Sequence, residues 1–592
     1  MAIPYEPKPL PAVTTVDFNV SRWAGVNKIK GSQADYEMTD CKNMSADNFP
    51  YSSPRKSREK VLDETGIQRI YKVEGDRVYY IDGEGYLCYA EDKVKKQIAD
   101  EKVGDVKCTN NYDNLSVFYP DMVYLDEEEK VVPFEAKIIF GDVPEMSHRN
   151  MVGLQTISYK LAVTSQALTL EVTSARELTV EMKLPSADYY EYPVDLAPNI
   201  VLNIYGKEGE KRFGITKNAK IEARTNTYTF TLKDSQNFKD GDYMVFELEC
   251  HDEDDNYKEW SALLNYALTA EWKITNNPIV STLPLDYAVV YNNRVVGVKA
   301  SDIRASALGD FTNFWMYVDE AGNPDATGAY ATDVGSAGDF TGICAYNNVL
   351  LLFKKDIVYE MYGSMPYTIT ELCTTGCIDN DSIASIDGVL YWASPKGIVR
   401  YSGGVPIVIS QQIDIDTSGI CKAGTDGRKY YVYDGKKTFV YDTYYQMWHI
   451  EDNKSTKMFY NHINDLYAVY EDGIYKLNCG NEVVEWEFET KDYTFGSKER
   501  KNLSKLWLRA DMPKNSRLEV YVKQNGSDWQ RVAVKTAEKD EMFDFKLRVK
   551  KCDSFALKFK GKGDVRILDI HGKITVGTSK HRSGASLNVY RK

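Results

Sequence analysis

The sequence predicts an all-β protein: a β-propeller of about seven blades, with one β-sandwich domain inserted into it and a second following it. Three observations carry this prediction. The chain holds 43 tyrosines beside 21 phenylalanines and 9 tryptophans, and aromatic side chains suit a half-buried pleated surface. One strand–turn–strand unit recurs along the chain, which is how stacked small sheets announce themselves. No long stretch shows a capped apolar period of 3.6 residues, so helix is expected to be scarce, with a single turn at residues 301–307. At 592 residues, the chain is long enough for roughly three or four domains.

Residues 1–60 read as a Pro-rich arm followed by the first strands. The opening MAIPYEPKPLPAVTT lacks a basic region leading into an apolar one, so no secretory signal is expected. Residues 61–135 contain two copies of the unit, IQRIYKVEGDRVYYIDGEGYLCYAED and VKCTNNYDNLSVFYPDMVYLDEEE. Residues 136–278 change character. Segments such as NIVLNIYGKEGEKRFGI alternate with a period of two between turn residues, as expected for an inserted sandwich.

Residues 279–483 carry five further copies, each with a tight turn: Asn292-Asn293, Asn347-Asn348, Asp387-Gly388, Asp426-Gly427 and Asn464-Asp465. These residue types tolerate the positive φ of hairpin turns. Seven units are counted in all. Each is too small to bury its own faces, and a ring of them solves that problem with few exposed edges; the pattern alone leaves six or eight blades open. Residues 484–578 alternate again and read as a C-terminal sandwich, and 579–592 form a basic tail.

Charge and composition narrow the function. The net charge is −14. From Val484 onward there are 25 Lys and Arg against 15 Asp and Glu, a surplus of ten, which leaves 24 excess negative charges on residues 1–483. An acidic body argues against gripping nucleic acid, because that affinity comes from cations replacing condensed counterions. No apolar run approaches the roughly 20 residues of a membrane span. The ten cysteines sit mostly in apolar stretches and read as free thiols assembled in a reducing cytoplasm.

The search for chemistry yields little. The six histidines include no HExxH or HxH pair, and Cys373 and Cys377 form the one close cysteine pair, with no second pair at zinc-site spacing. The acidic run 251–255 lacks the ordered spacing of a calcium loop. Phosphate-binding, dinucleotide-binding and nucleophile-elbow motifs are absent. No catalytic residue, metal or cofactor is therefore assigned. Asn525 to Trp529 reads as a hairpin turn.

Three groups of residues resemble the nozzle and hub proteins of bacteriophage tails. The first is Trp23-Ala24-Gly25-Val26-Asn27, with Asp40 to Pro50 and Ser53-Pro54-Arg55. The second is Tyr291 to Gly297, followed by Ile303-Arg304-Ala305-Ser306-Ala307-Leu308-Gly309 and on to Phe314. The third is Ser394-Pro395-Lys396-Gly397-Ile398 with Gly403-Gly404, then Tyr441-Asp442-Thr443 and Met447-Trp448. Val296 departs from the Trp or Phe usual in that family. The resemblance implies a non-enzymatic virion protein of the tail, assembled in the host cytoplasm as a homo-oligomeric ring. Its expected partners are a head-to-tail adaptor or portal-associated protein, other tail proteins, and genomic DNA passing through the lumen without sequence-specific binding. Within the blades, Gly297, Gly309 and Gly397 are expected to allow close approach or positive φ, and Trp315, Trp392 and Trp448 to fill space between blades. Two rivals stand beside this reading: a tail-tip protein that binds a cell-surface glycan, and a propeller glycosidase with a carboxylate pair in a cleft.

Overall fold

The computed structural model describes residues 14–576 except 103–108, 113–114, 119–121, 126–129, 134, 141–144, 152–153, 166–175, 184–198, 207, 219–224, 233–242, 252–270, 277–278, 283–284, 310–325 and 498. The described chain is all-β. Among these residues the sole helical element is a single 3-10 turn, Asn380–Ser382. The helical turn expected at residues 301–307 is not formed: Asp302–Ala305 is a strand. Its Val298↔Ile303 and Val296↔Ala305 register buries Ile303 and Ala305 in an apolar cluster, which outweighs weak local helical preference.

Seven small sheets are four-stranded and antiparallel. They are built from residues 69–102, 109–133, 287–333, 340–373, 384–408, 422–450 and 456–480, and are called here the first to seventh meanders. The seventh has only three strands of its own, and its fourth is Ser57–Leu62, from far upstream, lying antiparallel to Gly473–Gly480. Contacts between first strands link successive meanders except the fourth and fifth. The first meander touches the second, the second the third and the third the fourth; the fifth touches the sixth, the sixth the seventh, and the seventh returns to the first. Asn380–Ser382 bridges the fourth and sixth, and the Tyr346 hydroxyl donates across to the Gly388 carbonyl of the fifth (2.8 Å).

The turn residues explain why the meanders form where they do. Asn292 and Asn293 take φ of 49° and 57°, and Asn347 and Asn348 take 45° and 65°, the paired positive values that match a two-residue turn to strand twist. In the seventh meander the turn falls one residue earlier than expected. His462 pairs with Asp465, so Ile463 carries the positive φ of 56°.

Two larger sheets follow the seventh meander, and both recruit the N-terminal segment. Thr14–Val20 lies along Arg566–Val576 at the edge of a four-stranded sheet, and Met38–Lys42 lies along Glu485–Thr490 at the edge of a five-stranded one. One apolar cluster joins these sheets to the fifth and sixth meanders through Phe18, Trp23, Tyr430, Trp448, Phe488, Leu508 and Ile570. Trp23 packs edge-on against Phe488 at 5.0 Å. Between the second and third meanders lie a seven-stranded and a three-stranded sheet.

Candidate functional site

The N-terminal segment passes between the sixth meander and the C-terminal sheets, and the residues of the first and third resemblance groups meet there. Gly25 lies so close to the Trp448 backbone that a Cβ would collide with the Trp448 carbonyl. Val26 N–H donates to that same carbonyl at 2.7 Å. Asn43, in the left-handed region at φ 57°, is the knot. Its N–H donates to Glu451 O (2.6 Å), its side-chain amide donates to Glu485 O (2.8 Å), and its Oδ1 accepts from Arg55 Nε (2.9 Å). One residue thus ties the chain just after the sixth meander to the five-stranded sheet.

Charged groups are buried around this knot. Arg58 donates to both oxygens of Asp452 (2.9 and 3.0 Å) and to Glu451 (2.8 Å), and Arg55 reaches the same two acids at 3.4 and 3.7 Å. Burial alone would raise the Asp452 carboxyl, but Arg58 and Arg55 outweigh it and hold the group below the ordinary carboxylate range. The two-pronged guanidinium–carboxylate geometry is what makes such burial tolerable. Close by, burial pushes the His449 imidazole down to about 3, with the neighbouring Lys429 adding to the effect and Asp47 opposing it. Lys429 itself pairs with Asp47 (2.6 Å). An open cleft of about 860 Å³ runs beside the junction, lined in part by Lys56, Asp426, Arg428, Asn478, Lys514 and Arg566.

A second charged cluster sits where first strands converge. Arg69 of the first meander meets Asp381 at 2.6 Å, and Lys422 of the sixth meets Asp379 and Asp381 at 2.9 Å each. Burial raises both acids. Arg69 and Lys422 reverse this at Asp381, which ends below its ordinary range, while at Asp379 burial, with Asp381 adding to it, outweighs Lys422 and keeps the group above it. The neighbouring opening, of about 470 Å³, also takes in Lys457 of the seventh meander. Ion pairs therefore run from the first strands of the first and sixth meanders to the 3-10 turn between the fourth and fifth.

The residues singled out from sequence are dispersed. A Cβ on Gly297 would collide with the Leu285 side chain, and one on Gly397 (φ +121°) with the Ser410 hydroxyl; Gly309 (φ +75°) donates its N–H to Asn293 O at 2.9 Å. Trp392 is fully buried between the fourth and fifth meanders, edge-on to Phe353 at 5.4 Å, with its Nε1 donating to Gly376 O at 3.1 Å. Trp448 packs on Tyr441 at 4.9 Å and donates to Ile409 O at 3.0 Å. Trp315 and residues 252–255 lie outside the described residues. In the second resemblance group the working residue is Arg294. It is buried, and it donates to the carbonyls of Ser306, Gly328 and Ala326 at 2.5 to 2.6 Å.

Cys373 and Cys377 are free thiols, and burial pushes the Cys377 thiol up to about 12. Among the described residues no group of three or more His, Cys, Asp or Glu side chains is placed to hold a metal ion, and no helix is long and apolar enough to cross a membrane. The Arg58–Asp452 and Arg69–Asp381 pairs escaped the sequence reading. A buried charge becomes legible only with its partner, and these partners lie 394 and 312 residues apart.

No family model and no curated protein matches the sequence. Among solved structures, the chain is similar to the extracellular domain of a one-component system from B. thetaiotaomicron, at 8% identity over 90% of this chain and 95% of that one, with a TM-score of 0.22. It is also similar to an exo-β-1,3-galactanase from Phanerochaete chrysosporium, at 9% identity over 47% of this chain and 92% of that one, with a TM-score of 0.18. Likeness at this level carries no argument about what the chain does.

Proposed function

We propose that the protein is a structural component of a bacteriophage tail, a nozzle or hub ring that forms part of the DNA-ejection conduit and a platform for neighbouring tail proteins. In this reading the seven meanders are the blades of a seven-bladed β-propeller, and the two C-terminal sheets are a sandwich locked to it by the N-terminal segment. The observation that carries the reading is where the polar groups of the resemblance motifs go. Asn43, Arg55 and Arg294 direct theirs to backbone carbonyls and buried partners. Residues kept for catalysis need an open face toward a substrate; these hold one part of the chain to another.

The ion pairs between first strands and the 3-10 turn bear on the path of DNA. In this reading the 2.6 Å contact between Arg69 and Asp381 leaves no room for a duplex through the middle of a single chain. The conduit of this reading lies between copies, around the axis of a homo-oligomeric ring. An acidic wall would let DNA slide, because it offers few cations to replace counterions. The basic C-terminal surplus would suit docking on an acidic neighbour, such as the adaptor or the next copy.

The test is immunogold labelling of particles released by cells that express the gene in its natural context. Label confined to the tail, in several copies per particle, is the expected result. Particles that lack the protein, or that carry it on the capsid, would contradict the reading.

A further inference from the structure

One surface feature includes neither Arg55 nor Arg58 of the junction. Between the fifth and sixth meanders lies an open groove of about 650 Å³, within the size range of sites for small molecules. It is lined by Tyr391 and Tyr441, whose rings lie 6.1 Å apart, with Arg400 beside them. One lip is the turn after Asp442, which presents Tyr444 at 76% exposure. The other lip is the Asp387–Gly388 turn, with Asp387 exposed.

The Tyr444 lip is built to stay in place. Asp442 accepts from the backbone N–H groups of Tyr444 and Tyr445 at 3.1 and 2.9 Å, and from Arg428 at 2.6 Å. The Arg428 guanidinium lies over the Tyr444 and Tyr445 rings at 6.0 and 5.2 Å. Tyr445 is backed by Phe49 at 4.5 Å and meets Tyr444 edge-on at 4.8 Å. The entropy of ordering this aromatic platform has thus been lost on folding and need not be lost on binding. Arg400 and Asp387 line the same groove. Both face the opening with hydrogen-bonding capacity to offer.

We infer that this groove binds a saccharide, with one pyranose ring stacked on Tyr444 and its hydroxyl groups held by Arg400 and Asp387. A pyranose combines a C–H face with equatorial hydroxyls, so it needs both an aromatic plane and nearby planar polar groups. An apolar peptide would leave Arg400 and Asp387 desolvated and unpaired. A nucleic acid would meet a body whose residues 1–483 carry 24 excess negative charges. The inference does not depend on ring assembly: a monomer that binds sugar and a ring that does not would separate the two proposals.

The experiment applies the purified full chain to an array of immobilised oligosaccharides made of neutral hexoses, N-acetylhexosamines and uronic acids. The best-bound oligosaccharide is then titrated against the parent chain and against Tyr444→Ala, Arg400→Ala and Tyr362→Ala. Tyr362 is an exposed tyrosine on the fourth meander. Binding to at least one class is expected, weakened about tenfold or more by Tyr444→Ala and by Arg400→Ala and unchanged by Tyr362→Ala, with all variants melting cooperatively. A Tyr444→Phe variant that keeps binding would confirm stacking, and it guards against misreading a folding defect. Binding to no class on the array, or binding indifferent to both groove substitutions, would overturn the inference.

Discussion

Arg58 shows how much one side chain carries at the junction. It is 8% exposed, as its partner Glu451 is 3% exposed, and its removal would leave Glu451 and Asp452 with only their longer contacts to Arg55. An Arg58→Ala variant is expected to lose about 3–5 kcal/mol of stability, read as a lower urea midpoint with an unchanged slope; a loss within 0.5 kcal/mol would be that of an ordinary surface residue. His449 makes a separate, pH-dependent prediction. Its folded pKa of about 3 lies below the unfolded value of about 6.5, so between these values the unfolded chain holds a proton that the folded chain does not. Stability contributed by the neutral imidazole is therefore present above about pH 6.5 and lost as pH falls. The expected decline is roughly 1.4 kcal/mol per pH unit near pH 5.5. Urea titrations at several pH values check this, and a His449→Gln variant should have a flatter profile. An identical slope in both would show that His449 is not buried neutral. Asp452, held low by Arg58, acts in the same direction at more acid pH, as the carboxylates protonate.

At the scale of elements, the closing strand Ser57–Leu62 is the piece on which the cyclic array depends. Gly473 (φ +138°) is packed so tightly on Leu62 that a Cβ would collide with the Leu62 carbonyl. A Gly473→Ala variant is expected to release this strand, with faster hydrogen exchange across residues 57–62 and 473–480 and new proteolysis near residue 60, while the C-terminal sheets stay protected. Uniform exchange across the chain would contradict a locally closed seam. The sequence made the meanders legible because alternation and Asn-Asn or Asp-Gly turns are local signals. It did not reveal this strand. SREKVL is an outermost strand with only its ends buried, so it carries no apolar alternation, and its partner lies more than 400 residues away. Thr14–Val20 and Met38–Lys42 were hidden for the same reason: each completes a sheet made almost wholly of residues beyond 484. The turn at Ile463 was misplaced by one residue because no propensity favours isoleucine at positive φ.

The whole molecule joins two electrically unlike parts, with an N-terminal segment threaded through both. In the proposed reading these parts assemble as a homo-oligomeric ring, and that assembly is the central claim. It is tested most directly by native mass spectrometry of the purified full chain, alone and mixed with its head-to-tail adaptor, together with negative-stain imaging of the same samples. The account predicts a closed ring of defined copy number, formed alone or on the adaptor, with an axial hole wide enough for a DNA duplex and the meanders outside it. A chain that stays monomeric or trimeric and ignores the adaptor would contradict it.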